Sequence, residues 1–258
     1  MAKAPVGGVG AGITLKLLID AGIKQGMRVL DLGCGGGDVS IIAASVVGST
    51  GSVLGIDRDA NALEIAKKKI QEAGVTNVSF AQVDLMTGKL PESEHFDAIV
   101  TRRVLMYLSD PAKALQQFIP SLKTGGIVAV QEHDLSHAPL YSEPLPLHQQ
   151  IQGYIKQTVQ REGVNPHMGF DLYRILHEAD ITVDQVHMEG ILVTPNQPSN
   201  LAFLTKVMVP RMIQCGVIAS EQELNLDTLE QKLTEERLKS STTYVSDIVF
   251  CAWGRKHG

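Results

Sequence analysis

Residues 29–37, Val-Leu-Asp-Leu-Gly-Cys-Gly-Gly-Gly, decide how the chain is read. An apolar strand ends in an acid, Asp31, and runs into a turn stripped of side chains at Gly33, Gly35 and Gly37. Such a turn lets a ligand approach the backbone closely. It opens onto a helical pattern over residues 37–48, and the start of a helix favours anionic groups. The turn therefore asks which nucleotide-like ligand it holds.

Outward from this turn, strand and helix patterns alternate. Residues 13–22 predict a short helix stopped by Gly22, followed by strands at Met27–Leu32, Ser52–Ile56, Asn77–Val83, Phe96–Thr101 and Ile127–Gln131. Between them, Asp59 caps a helix running to Ala73, and Pro111–Leu122 forms another, closed by Gly125-Gly126. Alternation of this kind means parallel strands joined by right-handed crossovers, an open α/β sheet. The rhythm breaks after residue 133. Helices are expected at 147–162, 169–179, 199–215 and 220–238, with strands at 181–188 and 244–253. The expectation is an α/β fold: one domain over 1–258, seven mostly parallel strands, helices on both faces, and a helical lid inserted after strand five. Residues 134–170 and 195–240 would form that lid and choose the substrate.

Bulk properties narrow the function. The 258 residues are 44% hydrophobic and 20% charged, ordinary for a globular protein. A net charge of −5 argues against a broad phosphate-binding face, so no nucleic acid partner is expected. Cys34, Cys215 and Cys251 make no disulfide framework and fit a reducing compartment. The N-terminus lacks the pattern of a signal peptide, and no apolar stretch is long enough to span a membrane, so the cytoplasm is the expected location.

In open α/β sheets ligands bind beyond the carboxyl ends of the strands. The residues just after the first five strands are Asp31 with its glycines, Asp57, Asp84, Arg102 and His133. A dinucleotide fingerprint would need a third glycine where this chain has Asp38, whose charge repels a pyrophosphate. A Tyr-x-x-x-Lys pair for hydride chemistry is also missing. Asp57 suits a ribose of either ligand class. Asp84 favours an adenine along strand three, and Asp31 favours a ligand with an ammonium group. A sulfonium nucleoside, S-adenosylmethionine, carries all three groups.

On these residues the chain resembles the class I S-adenosylmethionine-dependent methyltransferases, with their Rossmann-like fold. The resemblance covers roughly residues 27–133. It is carried by Val29–Gly37, Ile56-Asp57-Arg58, Val83-Asp84-Leu85-Met86, Phe96–Val100, Gly125-Gly126 and the segment 102–111. It implies that Asp31 and the backbone of Gly33, Cys34 and Gly35 hold the methionine part. Asp57 would accept from the ribose hydroxyls, and Arg58 would pack on the adenine. Asp84 would accept from the adenine amino group beside the Leu85 amide, and the Arg102 backbone would face the ligand's amino group. The implied activity is methyl transfer to oxygen, nitrogen or carbon of a small molecule, as in secondary metabolism. Many small-molecule members have His where this chain has Tyr107, so no role of that His transfers.

Other features have plainer readings beside the functional ones. Lys67-Lys68-Lys69 is a solvated helix face, with Glu64 and Lys68 paired at helical spacing. Cys34 is a small residue in a tight turn. His133 is the candidate base or acceptor-orienting group, since histidine titrates near neutral pH. His133 and His137 are four apart, but no third ligand follows, so no metal is expected. Tyr141, His148, Tyr154 and His167 lie in the lid segments, where packing or exposure competes with a pocket role. Leu226, Leu229 and Leu233 form a stripe that suits internal packing or a homodimer seam. Two other functions stay open: a nicotinamide-dependent oxidoreductase, and a methyltransferase-like subunit that binds cofactor without turnover.

Overall fold

Strands covered on both faces need apolar side chains on both. In β1 (Arg28–Leu32) Val29, Leu30 and Leu32 are at most 1% exposed, as are Ala98, Ile99 and Val100 in β4 (Phe96–Arg102). The structure is a computed structural model and describes residues 10–90, 95–135 and 141–257. β1 pairs in parallel with β2 (Ser52–Asp57) on one side and with β4 on the other. β2 continues to β3 (Val78–Gln82), and β4 to β5 (Leu122–Asp134), again in parallel. With β6 (Ile181–Val193) and β7 (Tyr244–Lys256) the order is β3-β2-β1-β4-β5-β7-β6. The chain thus builds outward from β1 through β3 and then returns to the other side of β1. This return makes a topological switch point at the carboxyl end of β1, where the glycine turn lies. The seven-stranded α/β expectation holds.

Helices join the strands: α1 (Ala11–Asp20), α2 (Asp38–Val47), α3 (Ala60–Glu72) and α4 (Pro111–Phe118), then α5 (Pro146–Arg161), α6 (Met168–Glu178), α7 (Leu201–Gln214) and α8 (Leu226–Ser240). Asp59 caps α3 by accepting from the Asn61 amide at 2.9 Å. The charge pairing on α3 differs from the expected one. Lys67 meets Glu64 at 2.7 Å across three residues, while Lys68 lies 4.0 Å from Glu72.

Three boundaries moved for local reasons. α4 stops at Phe118 rather than residue 122: Ile119 keeps right-handed helical angles (φ −56°, ψ −35°), but Pro120 has no amide to continue the α hydrogen bonding, and the chain tightens into a 3-10 turn over Ile119–Ser121. Gly125-Gly126 does not close a helix but sits inside β5. Phe96 pairs with Leu122 and Ala98 with Ile127, so the intervening residues form a bulge, with Gly125 at φ 71°. The expected helix at 220–238 splits into a 3-10 turn (Glu221–Leu224) and α8, because Asn225 is left-handed at φ 46°.

The chain divides into two compact units: one within Met1–Glu132, Met168–Glu189 and Phe250–Gly258, the other within His133–His167 and Gly190–Val249. The second contains α5, α7 and α8, which pack on one another. Leu229 and Leu233 are buried in this packing, so their stripe is used inside the chain. The start of the glycine-rich lead-in and His137 lie outside the described residues. Among the described residues no helix is long and apolar enough to cross a membrane.

Candidate functional site

The site is built on the end of β1. Asp31 sits between Gly55 of β2 and Val100 of β4, 1% exposed. Its Oδ2 accepts from the Ser40 hydroxyl of α2 at 2.6 Å, and among the described residues its Oδ1 has no hydrogen-bond partner. Burial pushes the Asp31 carboxyl up to about 7, against the Ser40 hydrogen bond and the Arg102 charge, which both pull it down. A buried carboxylate oxygen without a partner is costly unless something supplies a donor.

The turn after Asp31 is fixed by steric fit. Gly33 is left-handed at φ 66°, and a Cβ there would lie 2.5 Å from a methyl carbon of Val104. Val104 is itself held in place. Glu132 of β5 is fully buried, and its Oε1 accepts the Val104 and Leu105 amides at 2.9 and 2.8 Å. Burial pushes the Glu132 carboxyl to about 7, while those two amides lower it. The preceding residue, Arg103, is left-handed at φ 58° and donates its amide to Gln131 at 3.0 Å. Glu132 therefore clamps the segment after β4 against the glycine turn. By contrast, a Cβ on Gly35 would meet nothing within 4 Å. The turn is tight at Gly33 and open at Gly35.

Two amides expected to face a ligand are used within the turn. Cys34 donates to the Ile56 carbonyl at 2.9 Å, and Gly35 donates to Asp57 Oδ2 at 2.8 Å. Asp57 Oδ1 accepts from the Asp59 amide at 2.9 Å, and each oxygen keeps a second lone pair. Asp57 thus ties the glycine turn to the start of α3. The Val83 amide donates to the Asp57 carbonyl at 3.0 Å, which brings the end of β3 alongside. There Asp84 Oδ1 accepts from the Met86 amide at 2.7 Å, and Leu85 is buried. Arg58 is exposed, its carbonyl accepting from Gln82 at 3.0 Å. Arg102 turns its side chain to Thr14 of α1 at 3.0 Å, and Thr14 in turn donates to Gln131 at 2.7 Å. Asp31, Gly33, Cys34, Gly35, Asp57, Arg58, Asp84, Leu85 and Arg102 accordingly share the strand ends from β3 to β4.

Two sequence arguments change. Asp38 pairs with Lys69 at 2.5 Å, so its charge is compensated and it repels a pyrophosphate less than the bare sequence suggests. The Cys34 thiol is buried and pushed well above its ordinary pKa, chiefly by burial, which makes it an inert small residue.

In the second unit, His133 Nδ1 is hydrogen-bonded to the Asp247 carboxylate of β7, with the ring 5% exposed. Sequence reading named His133 but not Asp247, and it left Glu132 and Ser40 without roles. An acid inside the apolar run of β5 was the available signal for Glu132. Asp247 and Ser40 carried none, because their partners are remote or one helix away. Among the described residues no cluster of three His, Cys, Asp or Glu could hold a metal.

Comparisons with known proteins bear on this site. A family model described as a methyltransferase domain matches residues 23–180. The demethylmenaquinone methyltransferase of Staphylococcus aureus (strain MRSA252) is 35% identical over 134 residues, 52% of this chain and 54% of that protein. The chain thus matches about half the length of such curated relatives. A crystal structure of a SAM-dependent methyltransferase from Aquifex aeolicus shares 25% identity at a TM-score of 0.53, covering 67% of this chain and 81% of that one. The cyclase SpnF shares the fold at a TM-score of 0.57 and 19% identity, covering 96% of this chain and 84% of its own.

Proposed function

Because this chain belongs to the methyltransferase domain family, its match spanning residues 23–180, we propose that it moves a methyl group from S-adenosylmethionine to a small-molecule acceptor. The observation that carries the reading is Asp31. Among the described residues its buried Oδ1 lacks a donor, and it stands at the switch point beside a turn whose Gly35 position is open. The ammonium of an amino-acid cofactor is the donor such an oxygen calls for.

The residues present fit that cofactor. Asp31 and the Gly33–Gly35 turn hold the methionine part. The Asp57 carboxylate accepts from the ribose hydroxyls through lone pairs that its backbone partners leave over. Arg58 covers the adenine, Asp84 takes its amino group beside the Leu85 amide, and the Arg102 backbone faces the amino group. The cofactor supplies an electrophilic methyl on a good neutral leaving group, so the protein's main task is alignment. A base is needed only where the acceptor carries a proton at working pH. His133 is proposed for that role. Asp247 orients its ring through Nδ1 and stabilises the imidazolium that proton uptake creates, the logic of a His-Asp pair. Residues of the second unit choose the acceptor. The relatives named for demethylmenaquinone support a small molecule as its class.

Calorimetric titration with S-adenosylhomocysteine and with NADH tests the cofactor. Binding of the first is expected, and binding of NADH alone overturns the reading in favour of an oxidoreductase. A second reading, binding without methyl transfer, is favoured by one observation: a protein named a cyclase has this fold. A labelled-methyl assay over an extract of small metabolites separates the two. Transfer to any acceptor supports the enzyme, and cofactor binding with no transfer supports the binding subunit.

A further inference from the structure

Arg102 closes β4 with a charge that the fold leaves unanswered. Leu32 pairs with Thr101 across β1 and β4, so the next residue, Arg102, stands beside Gly33 of the glycine turn. Asp31 lies opposite Val100, and side chains two apart along a strand share a face. Arg102 therefore leaves the sheet on the same face as Asp31. The Ser40 hydroxyl of α2 reaches Asp31 from that side, and the Thr14 hydroxyl of α1 reaches Arg102. The Arg102 side chain is half-buried, yet among the described residues it makes no ion pair and one hydrogen bond, from Nη1 to Thr14 Oγ1 at 3.0 Å. Most of the N–H donors on its fork are left over.

That one hydrogen bond is fixed in direction and in place. Thr14 and Gln131 are both buried. The Thr14 hydroxyl has a single proton, and its nearest acceptor is Gln131 Oε1 at 2.7 Å, against 3.3 Å for the Gly10 carbonyl. A lone pair of the same oxygen then takes the guanidinium. Gln131 is in turn registered opposite Arg102 across β4 and β5. The strand pair thus sets the two ends of the chain Arg102–Thr14–Gln131, and α1 supplies its middle. Buried groups hold the guanidinium through one nitrogen and leave the rest of the fork open. A charged group held in this way binds a ligand with little further loss of side-chain freedom.

We infer that the Arg102 side chain binds the carboxylate of the cofactor's amino-acid end and so distinguishes the whole cofactor from nucleosides that lack that group. The inference rests on the proposed cofactor reading and extends it to a residue that sets specificity. Asp31, with one buried oxygen lacking a donor, suits the ammonium, and Arg102 on the same face suits the carboxylate. Together they present the two charges of a zwitterion in opposite sign. A guanidinium meets a carboxylate with two N–H groups at once, which a single ammonium cannot do. Thr14 and Gln131 touch no ligand in this arrangement; they are positioning residues that aim the fork. The backbone role proposed for Arg102 is separate and needs no side chain.

The probes are S-adenosylhomocysteine and its decarboxylated analogue, which keeps the ammonium, each titrated calorimetrically into the full chain. The wild type is expected to prefer the first by roughly ten- to hundredfold. Arg102→Met should erase that preference, weakening S-adenosylhomocysteine by the same factor while the analogue stays within about twofold. Thr14→Val leaves the guanidinium unanchored and should cut the preference by a smaller factor. Equal binding of the two probes by the wild type overturns the inference and leaves the cofactor reading standing. An Arg102→Met variant that weakens both probes alike also overturns it, because Arg102 then supports the turn and not the ligand. If neither probe binds the wild type, the cofactor reading falls and the inference with it. Should Arg102→Met fail to fold, Thr14→Val decides: a reduced preference supports the inference, and an unchanged one overturns it.

Discussion

Raising the pH from about 6 to about 8 should tighten S-adenosylhomocysteine binding roughly tenfold, through Asp31. The carboxyl is pushed from 3.8 to about 7, chiefly by burial. Near pH 6 about one molecule in ten then carries it ionised, and near pH 8 about nine in ten. The ligand's ammonium pairs with the carboxylate and not with the neutral acid, so apparent affinity scales with the ionised fraction. Binding near neutral pH must also release a proton from Asp31. Calorimetry in buffers of different ionisation enthalpy measures both the affinity and that release. Asp31→Asn removes the titrating group while keeping the shape, and its affinity should be weak and flat with pH. A flat wild-type profile refutes the reasoning, as does a variant with the same slope, which would trace the effect to a histidine.

Four further expectations follow from the geometry. Glu132 is raised from 4.5 to about 7, so the native state holds its proton longer than the unfolded state and stability falls as pH rises through that window. At about 1.4 kcal/mol per pKa unit, Glu132→Gln should gain on the order of 3 kcal/mol relative to wild type between pH 4 and 9 in urea unfolding, and a pH-independent difference counts against it. Gly33 and Gly35 are both left-handed (φ 66° and 48°), so alanine at either costs about 1 kcal/mol of backbone strain, but Gly33→Ala should destabilise by about 1–3 kcal/mol more through its clash with Val104 while Gly35→Ala should also lose cofactor affinity; equal thermal destabilisation would contradict the distinction. Asp57→Ala should weaken S-adenosylhomocysteine by roughly ten- to hundredfold in calorimetry, and unchanged affinity removes its ribose role. Once an acceptor with an ionisable proton is identified, Asp247→Asn should lower kcat about hundredfold and shift the acid limb of its pH profile, while KM for cofactor stays put. An unshifted limb would make the His133–Asp247 pair structural.

The alternating part of the fold could be read from residues alone because its signals are local. Asp59 capping α3, the apolar runs of β1 and β4, and the glycine stops each act within a few residues. Errors arose where one local signal stood for two structures. Gly125-Gly126 can end a helix or make a bulge, and only the pairing of β5 with β4 chooses the bulge. Asn225 breaks α8 from its 3-10 turn through a left-handed backbone that asparagine tolerates and other residues rarely adopt, so the periodic pattern ran through it unmarked.

The site divides along the same line. Asp31, Asp57 and Asp84 could be found because each closes its own strand, and position in the strand is a sequence property. Glu132 and Arg237 could not, because each is a charged residue in a place that periodicity assigns to an apolar one, and its reason lies across the fold. The two then separate by how their demands are met. Glu132 directs one carboxylate oxygen at two backbone amides, which makes it a clamp for Val104 and so for Gly33. Among the described residues Arg237 makes one hydrogen bond, to Thr234, and lies 3.9 Å from the Glu230 carboxylate, so its burial is only partly compensated. Asp31 and Glu132 each keep one buried oxygen without a partner among the described residues, so what separates them is place: Glu132 is engaged in holding Val104 and Leu105, whereas Asp31 stands at the switch point beside the open Gly35 position, where a ligand's ammonium is expected.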